Sequence, residues 1–305
     1  MNAQARARYR GRFAPSPTGP LHFGSLVAAV ASFADALAAG GEWLLRIEDV
    51  DMPRTRPGAD AAILAALERL GFEWNGPVSR QSERTAHYDD ALARLRDAGH
   101  LYECACTRAE RARDPVSSLG ERVYPGICRN GSAAARAARG QRAFRLRVDA
   151  TTVAFTDRLF GLQRQTLATD VGDFVLRRRD GLVAYQLAVV VDDAAQGVTD
   201  VVRGADLLAS TPRQIFLQQL LGLPSPRYLH VPVAIDVHGR KLSKASGAAA
   251  LPAAAVPALL AAWRFLEQSP PEETPDSVGD FWRWAHRRWR VADLPRVPMR
   301  AAPRV

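Results

Sequence analysis

One stretch near the start of this sequence has the residue types needed to hold a phosphate group. Residues 12–25, RFAPSPTGPLHFGS, combine a short apolar piece, a turn stiffened by prolines and the entrance to an apolar helical pattern. A strand that turns sharply into a helix points backbone N–H groups and the positive end of the helix dipole at one place, which favours an anion. His22 stands at that entrance, where an imidazole can contact a phosphate. An ordinary proline-rich turn is the alternative for this stretch alone.

A second polar stretch, residues 239–247, holds both lysines of the chain, Lys241 and Lys244, among 41 basic residues. Two ammonium groups and two hydroxyls on one loop suit a triphosphate whose charge shifts during a reaction. Because arginine is so strongly favoured elsewhere, a lysine at these positions indicates a role that arginine cannot fill.

Charged residues also follow apolar strand patterns, at the places where open α/β sheets bind ligands. Glu48 follows the run WLLRI, and its carboxylate could hold an ammonium group or a ribose. Arg203 ends a later buried run, where a guanidinium could clamp a carboxylate with two hydrogen bonds. Pairing of Arg203 with Asp206 or Asp193 is the alternative.

The cysteines lie close together, as Cys104, Cys106 and Cys128, and there are 3 in the chain. An odd number of thiols in one window is a poor disulfide framework, whereas thiols this close can share a zinc ion with a fourth donor. We choose Tyr124 as that donor, although a phenol must lose its proton to bind a metal. The rival donors are Glu103, Glu110, Glu121 and His100. Reduced cysteines without any ion are the other alternative.

The composition suits a globular protein that meets nucleic acid. The chain has 305 residues, of which 47% are hydrophobic, and its formal net charge is +9. A core of ample size and an excess of positive charge are both expected from these values. No apolar run reaches the ~18 residues of a membrane span. We therefore expect a cytoplasmic protein with no membrane partner.

The elements that must position these residues alternate along the chain. Strand and helix patterns follow one another over residues 8–99, which predicts an α/β fold with a doubly wound parallel sheet. Residues 101–142 break this rhythm and form the cysteine-bearing insertion. We interpret residues 185–193 and 199–204 as buried strands, and Thr211 as the cap of the helix that follows.

We divide the chain into four parts on this basis. Residues 1–100 form the first half of a nucleotide-binding Rossmann-like domain, 101–142 a zinc-binding insertion, and 143–235 the second half of the catalytic domain. Residues 236–305 hold the lysine loop and a short helical C-terminal region.

Several segments together resemble the class I aminoacyl-tRNA synthetases of the glutamyl/glutaminyl kind. In the order of that family they are residues 12–25, 46–51, 185 with 190–193, 202–208 with 210–214, and 241–244. The resemblance implies a class I Rossmann-like catalytic fold that activates L-glutamate with ATP, accompanied by Mg²⁺. Glutamyl-adenylate and pyrophosphate would form without a protein nucleophile, by positioning and charge stabilisation.

The resemblance also assigns residues to each substrate. Those implied for L-glutamate are Arg12, Phe13, Ala14, Pro15, Ser16, Glu48, Tyr185 and Arg203. Within this set, the side-chain carboxylate would be held by Arg12, Tyr185 and Arg203. The ammonium group would be held by Ser16 and Glu48. Those implied for ATP are His22, Gly24, Ser25, Lys241, Ser243 and Lys244. His22 and Lys244 are the implied catalytic pair, and one zinc ion is expected on Cys104, Cys106, Tyr124 and Cys128.

Within this family the chain is similar to a shortened branch. Full glutamyl-tRNA synthetases carry a large helical anticodon-binding region after the lysine loop, and here only residues 248–305 follow it. The short end and the Cys-x-Cys…Tyr-x-x-x-Cys cluster are similar to the branch that attaches glutamate to the queuosine base in the anticodon of tRNA(Asp). We expect such a protein to act as a monomer.

Two positions depart from the family pattern. Ala245 stands where many relatives carry serine, and Val189 stands where glutamyl-tRNA synthetases tend to have asparagine. We expect the first to remove one hydrogen bond and the second to weaken glutamate binding. The alternatives are a truncated glutamyl-tRNA synthetase that charges the 3′ end of tRNA(Glu), a non-catalytic tRNA-binding paralogue, and a small-molecule adenylyltransferase.

Overall fold

The computed structural model describes residues 8–117, 120–131, 140–242 and 251–303. The strands are β1 (Arg10–Phe13), β2 (Glu42–Ile47), β3 (Ser79–Arg80), β4 (Leu101–Cys104), β5 (Ala143–Leu146), β6 (Thr152–Asp157), β7 (Gly161–Thr166), β8 (Phe174–Arg177), β9 (Asp200–Gly204), β10 (Arg227–Val231), β11 (Val233–Ile235) and β12 (Met299–Ala301). The α-helices are α1 (Phe23–Ala38), α2 (Ala59–Arg69), α3 (Thr85–Asp97), α4 (Arg108–Arg111), α5 (Leu167–Asp170), α6 (Tyr185–Ala195), α7 (Thr211–Leu221), α8 (Ala255–Phe265) and α9 (Val278–Arg288). Short 3-10 helices include Met52–Arg54, Gln81–Arg84, Ala205–Ser210 and Val291–Asp293.

Parallel strands form the centre of the fold. β1, β2 and β3 pair in parallel in one group, and β6, β10 and β9 do so in another. The two groups meet where the backbone N–H of Thr199 donates to the carbonyl of Arg10 at 2.9 Å. Residues at the carboxyl ends of β1, β2, β9 and β10 line one common cavity, as expected of an open α/β sheet.

Helix α1 packs across this centre because nearly all of its faces are apolar. Its Ala- and Val-rich sequence favours a helix with few exposed positions, and Leu26 and Val30 are fully buried. The C-terminal helices α8 and α9 complete the same hydrophobic core. The indole N–H of Trp282 donates to the carbonyl of Leu70 at 2.9 Å, so the C-terminal region is bound tightly to the first half of the chain.

The fold is mixed rather than purely parallel. β4, β5 and β8 form an antiparallel sheet, and β7 is antiparallel to β6. β12, which the sequence did not indicate, pairs in parallel with β11. None of the described helices combines the length and the apolar character needed to cross a membrane. The four-part division of the chain stays a prediction.

Two of the local predictions are wrong. Residues 185–193 belong to helix α6 rather than to a strand. This helix buries residues on most of its faces, and a helix buried all round shows no 3.6-residue period in its sequence. Thr211 is the first residue of α7 rather than its cap, which is Ser210. The hydroxyl of Thr211 is instead turned towards Arg203.

Candidate active site

A cavity of about 900 Å³ opens at the carboxyl ends of the parallel strands. It brings together all of the described residues that the family resemblance assigns to the two substrates. They are Arg12, Phe13, Ala14, Pro15, Ser16, His22, Gly24, Ser25, Glu48, Tyr185, Arg203 and Lys241. The remaining ones, Ser243 and Lys244, lie outside the described residues, and so does Ala245.

The imidazole of His22 serves as the N-cap of helix α1. Its Nδ1 accepts a hydrogen bond from the backbone N–H of Ser25 at 3.3 Å, and its Nε2 lies 3.1 Å from the hydroxyl oxygen of Ser25. A histidine in a role usually taken by serine or aspartate places its ring directly at the positive end of the helix dipole. This end of the cavity therefore has the charge distribution that an anionic group requires.

The start of the lysine loop lies against this helix entrance. A Cβ atom at Gly24 would lie 3.3 Å from the carbonyl oxygen of Leu242 and 3.3 Å from ring atoms of His22, so a side chain here would press against both neighbours. The ammonium group of Lys241 lies 2.5 Å from the carboxylate of Asp206. The imidazole and the first lysine of the loop therefore line the same cavity.

Buried arginines lie at the other end of the cavity. The Nε of Arg12 donates to the carboxylate of Asp193 at 3.1 Å, and the fully buried Arg46 donates to the same carboxylate at 2.7 Å. Burial acts to raise the pKa of Asp193, but the two arginines outweigh it and hold that pKa below its ordinary value. Asp193 is therefore an anion that fixes both guanidinium groups.

Unlike Asp193, Glu48 lines this end of the cavity. Its carboxylate lies 3.5 Å from Nη2 of Arg46. Burial raises the pKa of Glu48 to about 6, although Arg46 and Arg12 act in the opposite direction. Burial makes the ionised form of this carboxylate unfavourable in the free protein. A cation that binds beside it stabilises that ionised form. The arrangement suits an ammonium group.

Each of the three guanidinium nitrogens of Arg203 donates one hydrogen bond, and none of these bonds goes to an acidic residue. Its Nη1 donates to the hydroxyl of Tyr185 at 3.3 Å, its Nη2 to the hydroxyl of Thr211 at 2.8 Å, and its Nε to Nε2 of His230 at 3.0 Å. The positive charge of Arg203 is thus held in place without a neutralising carboxylate among these partners. The N–H groups of its guanidinium outside these three bonds can donate to a carboxylate of a ligand.

The alternative that pairs Arg203 with Asp206 or Asp193 is wrong. Asp206 pairs with Lys241, and Asp193 pairs with Arg12 and Arg46.

The three thiols form a separate, buried cluster in the insertion. Their Sγ atoms all lie within 4.8 Å of one another, and those of Cys106 and Cys128 are 3.6 Å apart. The hydroxyl oxygen of Tyr124 lies 3.4 Å from Sγ of Cys104 and 3.3 Å from Sγ of Cys106. In a tetrahedral zinc site the sulfur atoms are about 3.8 Å apart. The donor set fits a metal ion with little rearrangement.

The acidic rivals for the fourth position are engaged elsewhere. Glu103 pairs with Arg142, Glu121 pairs with Arg213, and Glu110 accepts the backbone N–H of Thr107 at 2.7 Å.

The charges around the thiols favour anionic ligands. The guanidinium carbons of Arg111 and Arg145 lie 4.4 and 4.1 Å from the ring centre of Tyr124. Burial acts to raise the pKa of the Cys128 thiol, but hydrogen bonds, first that from Tyr124, lower it to about 7. Burial also raises the pKa of Cys106 to about 11. A metal ion would be needed to ionise all of these groups together.

Residues 8–256 match the family model described as tRNA synthetases class I (E and Q), catalytic domain. The chain therefore belongs to the class I tRNA synthetases of the E and Q type.

Within that class, relatives at 52% to 60% identity carry the name Glutamyl-Q tRNA(Asp) synthetase. The chain is 56% identical over 307 residues to the protein of that name from Aromatoleum aromaticum, covering 99% of this chain and 96% of the relative. It is 60% identical over 267 residues to the one from Burkholderia mallei, covering 85% of this chain and 88% of the relative.

A crystal structure of a glutamate tRNA ligase from Elizabethkingia meningosepticum, in complex with its amino acid, has the same fold. The TM-score is 0.74 at 24% sequence identity, and the match covers 95% of this chain and 66% of that one.

Sequence reasoning missed the residues that support the cavity from behind. Asp157 and His230 received no role, although a histidine in the run YLHVPV is a polar residue among apolar ones. Both are buried, and a buried polar residue in a strand indicates a hydrogen-bonded role. That signal could have directed attention to His230.

Proposed function

We propose that this chain activates L-glutamate with ATP and then transfers the glutamyl group to the queuosine base in the anticodon of tRNA(Asp). The observation that carries the proposal is the single cavity that joins the helix entrance at His22 to the arginines and Glu48. The names of the relatives, at 56% and 60% identity, supply the particular amino acid and RNA.

Glutamate would bind at the arginine end of the cavity. Arg203, Arg12 and the hydroxyl of Tyr185 are available there for the side-chain carboxylate. The α-ammonium group would lie between Glu48 and Ser16. This leaves the α-carboxylate directed towards the phosphate end, where the bond must form.

ATP would bind across the entrance of helix α1. Backbone N–H groups there, with His22 and the lysine loop, favour the negative charge of the phosphates. Mg²⁺ would accompany the nucleotide, bound through its phosphate oxygens. The glutamate α-carboxylate attacks the α-phosphorus and pyrophosphate leaves. A hydroxyl of the modified base then attacks the carbonyl carbon of glutamyl-adenylate, and AMP leaves.

A zinc ion would be held by Cys104, Cys106, Tyr124 and Cys128. Because the protein supplies all four ligands, no position is open for substrate, and the metal would organise the insertion rather than take part in the reaction. Four anionic ligands on Zn²⁺ leave two excess negative charges. Arg111 and Arg145, stacked on Tyr124, would balance them.

The test is to charge purified tRNAs with labelled glutamate and ATP. We expect label on queuosine-containing tRNA(Asp), none on tRNA(Asp) that lacks queuosine, and release of the label when the anticodon base is removed. Label at the 3′ end of tRNA(Glu) would instead identify a truncated glutamyl-tRNA synthetase. Absence of glutamate-dependent exchange between pyrophosphate and ATP, with or without each RNA, would leave a non-catalytic paralogue.

A further inference from the structure

Behind Arg203 and outside the cavity, a chain of hydrogen bonds runs from Arg203 through His230 to Asp157. His230 on β10 stands directly opposite Arg203 on β9 in the parallel register. Nδ1 of His230 lies 2.7 Å from the carboxylate of Asp157, and its Nε2 accepts from Nε of Arg203 at 3.0 Å. Asp157 and His230 have 1% and 0% of their surface exposed, so these hydrogen bonds are sealed from solvent.

The direction of each bond follows from the chemistry of arginine. The Nε of Arg203 can only donate, so Nε2 of His230 must accept and its proton must lie on Nδ1, pointing at Asp157. Burial lowers the pKa of His230 to about 4, against the opposing effect of Asp157. The imidazole is therefore neutral and has one acceptor, Nε2, which lies 3.0 Å from Nε of Arg203 and 3.2 Å from the hydroxyl oxygen of Thr211.

Asp157 is itself fixed by the backbone. Its carboxylate accepts N–H groups from Leu159 at 3.0 Å, Phe160 at 2.9 Å and His230 at 3.1 Å. Burial acts to raise the pKa of Asp157, but the hydrogen bonds from His230 and these backbone groups hold it below its ordinary value. A carboxylate held by three backbone donors has a fixed position, and it therefore fixes the orientation of the imidazole.

Thr211 closes the arrangement from the side. Its hydroxyl accepts from Nη2 of Arg203 at 2.8 Å. The same hydroxyl lies 3.3 Å from the carbonyl oxygen of Leu207 and 3.2 Å from Nε2 of His230, and it can donate its proton to either. Two edges of the guanidinium plane are thus held by His230 and Thr211. The remaining edge, beside Tyr185, lines the cavity.

We propose that Asp157 and His230 are positioning residues that hold the guanidinium plane of Arg203 for the side-chain carboxylate of the amino-acid substrate. They thereby set the preference for an acidic side chain over its amide. This inference rests on the proposed function. A fixed fork gives two parallel hydrogen bonds to a carboxylate, whereas an amide turns an N–H group towards one of the same donors.

The test compares variants of His230 in glutamate-dependent pyrophosphate exchange. His230→Leu removes the acceptor at similar volume, and His230→Gln restores an amide oxygen that can accept from Nε of Arg203. We expect His230→Leu to raise KM for glutamate by about tenfold to a hundredfold, the range for losing a hydrogen bond to a charged group. KM for ATP and kcat should stay near the wild-type values. His230→Gln should recover most of the loss.

Asp157→Asn and Tyr228→Phe complete the set. Asp157→Asn should raise KM for glutamate and narrow the preference for glutamate over glutamine, because the imidazole loses its fixed orientation. Tyr228→Phe is the matched control, because it removes the buried hydrogen bond between Gln218 and the hydroxyl of Tyr228 on the same strand as His230. It keeps the aromatic ring that packs against Arg203 and His230. Tyr228→Phe should lower the melting temperature and leave KM for glutamate unchanged.

The outcomes separate the inference from the proposed function. A wild-type protein without glutamate-dependent exchange overturns both. An active wild type whose KM for glutamate is the same in His230→Leu overturns the positioning role alone. Equal increases in KM for glutamate and ATP, or equal effects of His230→Leu and Tyr228→Phe, would show a merely structural role and would also overturn it.

Discussion

The carboxylate of Asp193 accepts a hydrogen bond from Nε of Arg12 at 3.1 Å. The same carboxylate accepts from Nη2 of Arg46 at 2.7 Å. One anion therefore orients Arg12, which lines the cavity, and neutralises Arg46, which lies behind the cavity wall. All three side chains are buried. Because Nε of Arg12 is committed to Asp193, the rest of its guanidinium is directed to where it lines the cavity.

Asp193→Asn should therefore affect both stability and binding. The change keeps the shape but leaves two buried arginines short of one negative charge, which costs about 3–5 kcal/mol of unfolding free energy. KM for glutamate should rise as well, because Arg12 loses its orientation.

Urea unfolding measures the loss of stability, and glutamate-dependent pyrophosphate exchange measures KM for glutamate. Asp89→Asn is the control, since Asp89 pairs with Arg177 at the surface and exposed pairs contribute little. An unchanged urea midpoint for Asp193→Asn would contradict this account.

Glutamate binding should depend on pH through Glu48. Its pKa is raised to about 6, and only the ionised form can pair with the ammonium group. Affinity should thus be constant above about pH 7 and decrease as the pH falls through 6, approaching tenfold per pH unit. The substrate side-chain carboxyl, with an ordinary pKa of about 4.3, stays ionised over most of this range.

Titration calorimetry with glutamate between pH 5 and 8 checks this dependence. Glu48→Gln should bind more weakly and show a flat profile over the same range. A wild-type profile with no inflection near 6 would remove Glu48 from the ammonium site.

Much of the site could be predicted because its residues belong to short, local motifs. The turn before α1, the acid after β2 and the arginine at the end of β9 all follow strands, and parallel pairing brings strand ends to one edge. The sequence therefore predicted which described residues would share a cavity. Their individual roles stay predictions.

The rest depends on contacts between distant parts of the chain. His230 faces Arg203 only because β9 and β10 pair in one particular register, and Asp157 comes from a strand much earlier in the sequence. No local pattern encodes such a register. Helix α6 was missed for another physical reason: its β-branched run at 189–191 favours a strand, whereas packing on several faces stabilises the helix.

Removal of a metal from the thiol cluster should destabilise the insertion. The purified protein is expected to hold one zinc per chain, measured by elemental analysis, and a chelator should lower its melting temperature until zinc is restored. Tyr124→Phe should weaken zinc binding, and Cys128→Ser should abolish it. Ile127→Ser, at the exposed neighbouring position, is the matched control and should retain the metal. A purified protein that holds no zinc, and whose melting temperature the chelator leaves unchanged, would contradict the assignment of a zinc site.

Val189→Asn tests the departure from the glutamyl-tRNA synthetase pattern. Val189 is 1% exposed within the apolar cluster around α6, and it lies one helical turn after Tyr185, on the same face. An amide there should cost about 1–3 kcal/mol of unfolding free energy if it finds no partner. Because this position is one helical turn from Tyr185, which lines the cavity, the amide should also lower KM for glutamate. Val190→Asn, at an equally buried neighbour that faces elsewhere, should show the loss of stability alone. If KM for glutamate is the same in both variants and the wild type, valine at this position does not weaken glutamate binding.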